Sequence, residues 1–231
     1  MQTLLITGAN RGLGLEFCRQ YSEQGDRVIA CCRNPDRAME LQNLAQQYSS
    51  VSIHALDVAD FGQVDELANA LRDETIDVLL CNAGIYGDKS EHGFGALNYQ
   101  NWEQTLRINT LAPVKLAEAF LPSLLKSSQP TLVAVTSLMG SIADNTSGGS
   151  LCYRSSKAAL NAALKSLAID LKAKNVAVLM LHPGWVKTDM GGINAPTNAE
   201  ESISGMRRVI ADFSLSDSGS FLNYHGEVLP W

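Results

Sequence analysis

The chain has 231 residues, 45% of them hydrophobic, with a formal net charge of −6 and a pI of about 5.2. That is enough apolar material for a substantial core in one α/β domain. The acidic balance and the lack of a basic stripe argue against nucleic acid or an anionic membrane as the main partner, and no run of about 18 apolar residues is present to span a bilayer. The start, Met1-Gln2-Thr3-Leu4-Leu5-Ile6-Thr7-Gly8, carries no basic leader and reads directly as a strand. A soluble, intracellular (cytoplasmic) protein is therefore expected.

In chain order, the strand candidates are 3–7, 27–32, 51–56, 78–82, 132–136 and 177–181, with a short last strand at 227–229. The first six are nearly continuous apolar runs, as strands buried on both faces should be. Helical patterns fall between them at 12–24, 37–48, 62–74, 99–126 and 153–174, and another follows at 199–213. This alternation predicts a doubly wound, Rossmann-type α/β fold. Its parallel sheet of six to seven strands carries helices on both faces. No repeat or linker interrupts residues 1–231, so one dinucleotide-binding domain is expected. The five cysteines (Cys18, Cys31, Cys32, Cys81, Cys152) are odd in number and lack a C-x-x-C, so they read as reduced and buried. His54, His92, His182 and His225 have no metal-like spacing, and no metal site is expected.

Ligands of open α/β sheets bind at the carboxyl ends of the strands. Gly8, Arg33, Asp57, Asn82, Ser137 and Pro183-Gly184 all fall at such ends. The turn Thr7-Gly8-Ala9-Asn10-Arg11-Gly12-Leu13-Gly14 joins the first strand to the first helix. Its glycines allow close approach to a pyrophosphate, and the helix start supplies amide donors. The spacing is G-x-x-x-G-x-G, not the commoner G-x-G-x-x-G. At the end of the second strand, no acid stands ready to accept a bond from the ribose hydroxyl of NAD. Arg33 stands there instead, and Arg11 lies in the glycine turn. The two arginines favour NADP(H) over NAD(H). Asp57, followed by Val58, either accepts a bond from the adenine amino group or caps the helix near Phe61. Asn82-Ala83-Gly84 either lets a nucleotide ribose pack close or is a plain strand-to-loop turn.

Tyr153 and Lys157 are four residues apart in a helical run, so both side chains leave one face. A free phenol has a pKa of about 10, and a neighbouring ammonium favours its ionised form. In isolation such a pair is common on helix surfaces. Its meaning depends on the company it keeps.

That company is specific. Thr7-Gly8-x-x-x-Gly12-x-Gly14, Asn82-Ala83-Gly84, Asn109, Ser137, Tyr153-x-x-x-Lys157 and Pro183-Gly184 occur in the order of the single-domain short-chain dehydrogenases/reductases. The chain resembles that family over almost its whole length. Arg33-Asn34-Pro35 and the ending Gly226–Trp231 resemble its sniffer-like and C-factor-like carbonyl reductases. The resemblance implies that Tyr153 exchanges the proton with the carbonyl oxygen. By the same resemblance, Lys157 lowers the pKa of Tyr153 and holds the nicotinamide ribose, and Ser137 bonds the substrate oxygen. Asn109 is expected to hold a water that connects Lys157 to solvent. Cofactor contacts are implied for Gly8, Asn10, Arg11, Gly12, Leu13, Gly14, Arg33, Asp57, Val58, Asn82, Ala83, Gly84, Tyr153, Lys157, Pro183, Gly184, Val186 and Thr188.

Ser137 and Tyr153 are sixteen positions apart, slightly more than in many members. The polar stretch 144–149 between them is expected to shape the substrate entrance. Substrate choice is expected from the loops 85–98, 138–151 and 190–206, the last with Gly191-Gly192 and Pro196 as lid hinges. Tyr86, Phe94, Met139, Trp185, Met190 and Met206 line a pocket or belong to the core. No basic cluster anchors an acidic substrate, so a carbonyl compound of moderate size and mainly apolar character is expected. The resemblance also implies a homodimer or homotetramer built on the segments 99–126 and 153–174. Trp231 docks on the core, on a partner or near the substrate mouth. The competing reading is an NAD(P)-binding signalling or sensor protein on the same fold, which would not need the Ser137/Tyr153/Lys157 set.

Overall fold

The computed structural model describes residues 1–88 and 93–231. His92 and the middle of the expected loop 85–98 lie outside the described residues. Seven strands form one parallel sheet in the order β3-β2-β1-β4-β5-β6-β7. They are β1 (Thr3–Thr7), β2 (Arg27–Cys32), β3 (Val51–Ala55), β4 (Val78–Cys81), β5 (Thr131–Val135), β6 (Ala177–His182) and β7 (Ser220–Asn223). The helices are α1 (Gly12–Glu23), α2 (Met39–Gln47), α3 (Phe61–Ala70), α4 (Tyr99–Leu106), α5 (Ala112–Leu124), α6 (Leu151–Asp170) and α7 (Ala199–Asp212).

The apolar runs of the strands divide between two cores because successive side chains point to opposite faces. Leu5, Ile29, Leu79 and Leu132 pack with Val64, Leu116, Phe120, Leu160 and Leu164 from α3, α5 and α6. Leu4, Ile6, Val28 and Leu80 pack on the other face with Phe17, Leu41, Ile203 and Met206 from α1, α2 and α7. Phe17 and Phe120 are fully buried, one on each side of the sheet. The strand order reverses between β1 and β4, which opens a crevice at their carboxyl ends.

Two expectations need correction. The last strand is not 227–229 but Ser220–Asn223, which adds a parallel edge beside β6. Phe221 from this edge is buried in the core, whereas Val228 makes a single antiparallel bridge to Leu222. The helix expected over 99–126 is broken by a π turn at Arg107–Leu111. Pro113 lacks the amide that would bond to the Asn109 carbonyl, so the α-helical ladder cannot run through this point.

Candidate active site

The glycine turn opens the crevice. Gly14 is buried against β1 and β4. A Cβ there would be driven into the Gly8 carbonyl oxygen, so no larger residue fits without moving backbone. Asn82 at the end of β4 braces the turn. Its Nδ2 donates to the carbonyl of Thr7 at 2.9 Å and to that of Gly8 at 3.2 Å. Thr7 Oγ1 accepts from the amides of Asn82 and Ala83. Arg11 stands at the N-cap of α1 but makes no side-chain cap, and the first turn of α1 holds no acidic residue. Among the described residues no side chain caps the amides of that turn, as an anion site requires.

Asn10 and Arg11 are exposed, and Leu13 is half-buried. Arg11 forms an ion pair with Asp189 from the segment after β6, with both side chains largely in solvent. Such a pair contributes little and exchanges partners readily. Arg33 is exposed at the end of β2. Asp57 does not cap α3: Asp60 does, accepting from the amides of Gly62 and Gln63. Asp57 Oδ1 instead accepts from Ala59 N at 2.9 Å in its own turn, and Val58 beside it is buried.

On the other side of the crevice, Ser137 follows β5 and caps a short 3₁₀ turn by accepting from Met139 N at 3.1 Å. That turn lies on α6 at Gly140, where a Cβ would come within 2.8 Å of the Lys157 backbone. Glycine thereby lets Ser137 approach the helix that carries Tyr153 and Lys157. The three side chains meet there, all buried. The Ser137 side chain lies beside the Tyr153 phenol, close enough to favour its ionised form. Lys157 Nζ lies 5.8 Å from the centre of the Tyr153 ring and donates to the Val135 carbonyl at 2.9 Å. The polar stretch Asp144–Gly149 is exposed and leaves this meeting intact.

Asn109 sits in the π turn, fully buried. Its Nδ2 donates to the Ile85 carbonyl at 2.8 Å and to Ser156 Oγ at 3.0 Å, and its Oδ1 accepts from Ile85 N at 2.9 Å. Thr110 Oγ1 donates to the Ser156 carbonyl. The π turn thus fastens the loop after β4 to α6. Both amide hydrogens of Asn109 serve this bracing, and one lone pair of Oδ1 remains for a water.

The electrostatics differ from the expectation. Burial pushes the Tyr153 phenol up to about 12; the Ser137 hydrogen bond works against this, and Tyr86 reinforces it. Burial draws the Lys157 ammonium down to about 8, with Cys81 opposing. Desolvation therefore outweighs the lowering influence of Ser137 at the phenol. Both groups are protonated at neutral pH. Burial, reinforced by Asp88, also raises the Cys152 thiol, and all five cysteines are buried and unpaired by disulfides. A reactive thiolate at Cys152 is disfavoured. No metal-binding cluster exists among the described residues.

Pro183-Gly184 closes the crevice after β6. Ser202 Oγ donates to the Pro183 carbonyl at 2.7 Å, which ties the turn to α7. Val186 is buried and bridges to Thr197, and Thr188 Oγ1 accepts from Gly191 N. The third substrate loop is shorter than expected: Ala199 onward is helix, and Met206 is core rather than pocket. Phe94, Trp185 and Met190 are instead exposed. Tyr86 is half-exposed and lies on Tyr153, with ring centres 4.9 Å apart. Trp231 packs on Phe221 and beneath the Lys165 ammonium. Its carbonyl accepts from Ala143 N and Ser141 Oγ, so it braces the loop that follows Ser137. Sequence reasoning missed Ser156, Asp88 and Asp189, whose bonds to Asn109, Cys152 and Arg11 span at least 47 positions.

The short chain dehydrogenase family model matches residues 2–199. The C-signal of Myxococcus xanthus is 43% identical over 156 residues, covering 68% of this chain and 93% of that protein. The carbonyl reductase Sniffer of D. melanogaster superimposes over 100% of both chains, with a TM-score of 0.94 and 38% identity. An NADPH-bound carbonyl reductase from chicken fatty liver covers 100% of this chain and 99% of its own, with a TM-score of 0.93 and 34% identity.

Proposed function

The chain belongs to the short-chain dehydrogenase family, and on that footing we propose that it is an NADP(H)-dependent carbonyl reductase. The observation that carries this reading is the meeting of Ser137, Tyr153 and Lys157 in a buried spot, across the crevice from the uncapped start of α1. The residues fit a dinucleotide. The bare first turn of α1 suits a pyrophosphate, and Arg33 with Arg11 suits a 2′-phosphate. Asp57, Val58, Asn82, Ala83 and Gly84 would flank the adenine and ribose, and Pro183, Gly184, Val186 and Thr188 the nicotinamide. The NADPH in the chicken enzyme supports this choice of cofactor. When bound, the cofactor supplies the hydride.

The remaining chemistry falls to side chains. Ser137 would hold the substrate carbonyl oxygen as negative charge develops on it. Tyr153, protonated at neutral pH, is poised as an acid and would deliver its hydroxyl proton to that oxygen. The Lys157 ammonium, charged below about pH 8, would stabilise the phenolate that results. This pattern of protonation suits reduction over oxidation near neutrality. Exposed Phe94, Ile142, Trp185, Met190 and Ile193 rim the site loops. They support a substrate of moderate size and mainly apolar character. Exposed Tyr99 on α4, Leu111 in the π turn, Leu125 just after α5 and Ile169 on α6 support self-association as a homodimer or homotetramer. Light scattering tests that point, and a monomer at all concentrations would contradict it.

The test of function is a panel of ketones, aldehydes and quinones with each cofactor. NADPH oxidation well above the NADH rate is expected with apolar members of the panel. NADPH binding without turnover on any member would favour the sensor reading, which the likeness to the C-signal keeps in view.

A further inference from the structure

Helix α6 carries Tyr153 near its first turn, yet it begins without a cap of its own. Ser150 at the N-cap is left-handed (φ 47°, ψ 47°), makes no side-chain cap, and no acid follows in the first turn. Helix starts expose amides that need acceptors, and an extended Ser, Thr, Asp or Asn next in the chain ordinarily provides one. Here the acceptor comes from the loop after β4. Asp88 Oδ1 accepts from Cys152 N at 3.1 Å, and Asp88 Oδ2 accepts from Tyr153 N at 2.8 Å. One of the two capped amides thus belongs to Tyr153 itself.

The same short segment grips this region at three more points. The Tyr86 ring lies on the Tyr153 ring, and the Tyr86 hydroxyl shares a hydrogen bond of 2.7 Å with Ser150 Oγ. The Gly87 carbonyl accepts from Asn101 Nδ2 on α4. Ile85, one residue upstream, is held by Asn109 through both backbone groups. The segment 85–88 is therefore fixed to α4 and the π turn on one side and to the start of α6 on the other.

We infer that Asp88 is a positioning residue for Tyr153: its carboxylate fixes the first turn of α6, and so the place of the phenol, from 65 positions upstream. A charge-assisted cap of this kind is stronger than one from a neutral acceptor. The requirement it meets is strict, since a misplacement of about 1 Å at a reacting group costs on the order of 10²-fold in rate. The bonds of Asp88 go to the start of α6, not to α1 or Arg33, so its loss should spare NADPH affinity.

The inference rests on the reading of Tyr153 as the proton donor, and one experiment separates the two. Wild type, Asp88→Asn and Asp88→Ala are compared for kcat with NADPH and a carbonyl substrate, and for NADPH affinity by fluorescence titration. Asparagine keeps one acceptor oxygen and loses the charge; alanine keeps neither. The expected order of kcat is wild type, then Asn about 3- to 10-fold lower, then Ala about 10- to 100-fold lower, with NADPH affinity within about threefold throughout. Any other order, or a parallel loss of NADPH affinity, overturns the inference. If Asp88→Ala does not fold, the Asn variant alone decides, and kcat equal to wild type overturns it. A wild type without turnover removes the parent reading and the inference together, whereas an active wild type matched by both variants removes only the inference.

Discussion

The two sides of the crevice are built on different terms. On the side of the glycine turn, backbone atoms dominate. Gly14 meets Gly8 without room for a Cβ, Asn82 stitches β4 to the glycine turn, and the first turn of α1 presents bare amides. In the loops after β4, β5 and β6, side chains dominate, and many are unpacked. Ile193 and Phe94 are 88% and 95% exposed, and Ile142, Trp185 and Met190 are also in solvent. Backbone recognition leaves little latitude for substitution, because each change moves the chain itself. Exposed apolar side chains leave a great deal. On the proposed reading, cofactor binding lies in the rigid side and substrate choice in the loose one.

The strongest way to break this comparison is Gly14→Ala. The added methyl strikes the Gly8 carbonyl, and overpacking of this kind costs about 1–3 kcal/mol. NADPH affinity should fall by on the order of 100-fold, as read by fluorescence titration alongside the melting temperature. Unchanged affinity would show that the glycine turn is not the pyrophosphate site.

The next effect concerns pH. Lys157 has its pKa drawn down from 10.5 to about 8, so its charge is present below that value and lost above it. The Tyr153 proton stays in place up to about 12. Reductive kcat/KM should therefore be level below pH 8 and fall about tenfold per pH unit above it. Lys157→Met should run at a lower level without this limb. A limb that persists in the variant would assign the titration to another group.

Arg33→Ala comes third. A lost charge-assisted contact is worth about 1.5–3 kcal/mol, so NADPH affinity should drop about 10- to 100-fold while NADH affinity holds. Equal losses for both would refute the 2′-phosphate argument. Smallest is Trp185→Ala at the mouth. KM for apolar substrates should rise a few-fold with kcat nearly constant, the signature of uniform binding. A large loss of kcat there would place the tryptophan in the chemistry and blur the comparison.

Much of the rigid side was legible in the sequence. Strands buried on both faces appear as continuous apolar runs, and β1 and β2 begin and end where those runs do. The edge strand β7 was misplaced, since Ser220–Asn223 has a single fully buried residue and so little apolar signal. The helix was expected to run unbroken over 99–126, so the π turn that bonds two residues to Ser156 was not legible. Among the strand-end positions, Gly8 and Asn82 are joined by a hydrogen bond. The electrostatics of Tyr153 and Lys157 were not legible: four positions of spacing reveal a lysine near a phenol, whereas the burial that reverses the expected shift is a property of the packed helix. Asp88 shows the limit most sharply. Its role at Tyr153 depends on two loops meeting across 65 residues, and no local pattern encodes that meeting.

The central claim is that Tyr153 supplies the proton, and single-turnover reduction by NADPH in wild type and Tyr153→Phe tests it most directly. The substitution removes one oxygen and leaves the ring against Tyr86. The account predicts a hydride-transfer rate lower by on the order of 10²- to 10⁴-fold, with NADPH affinity within about threefold of wild type. A Tyr153→Phe enzyme that transfers hydride at the wild-type rate would contradict it.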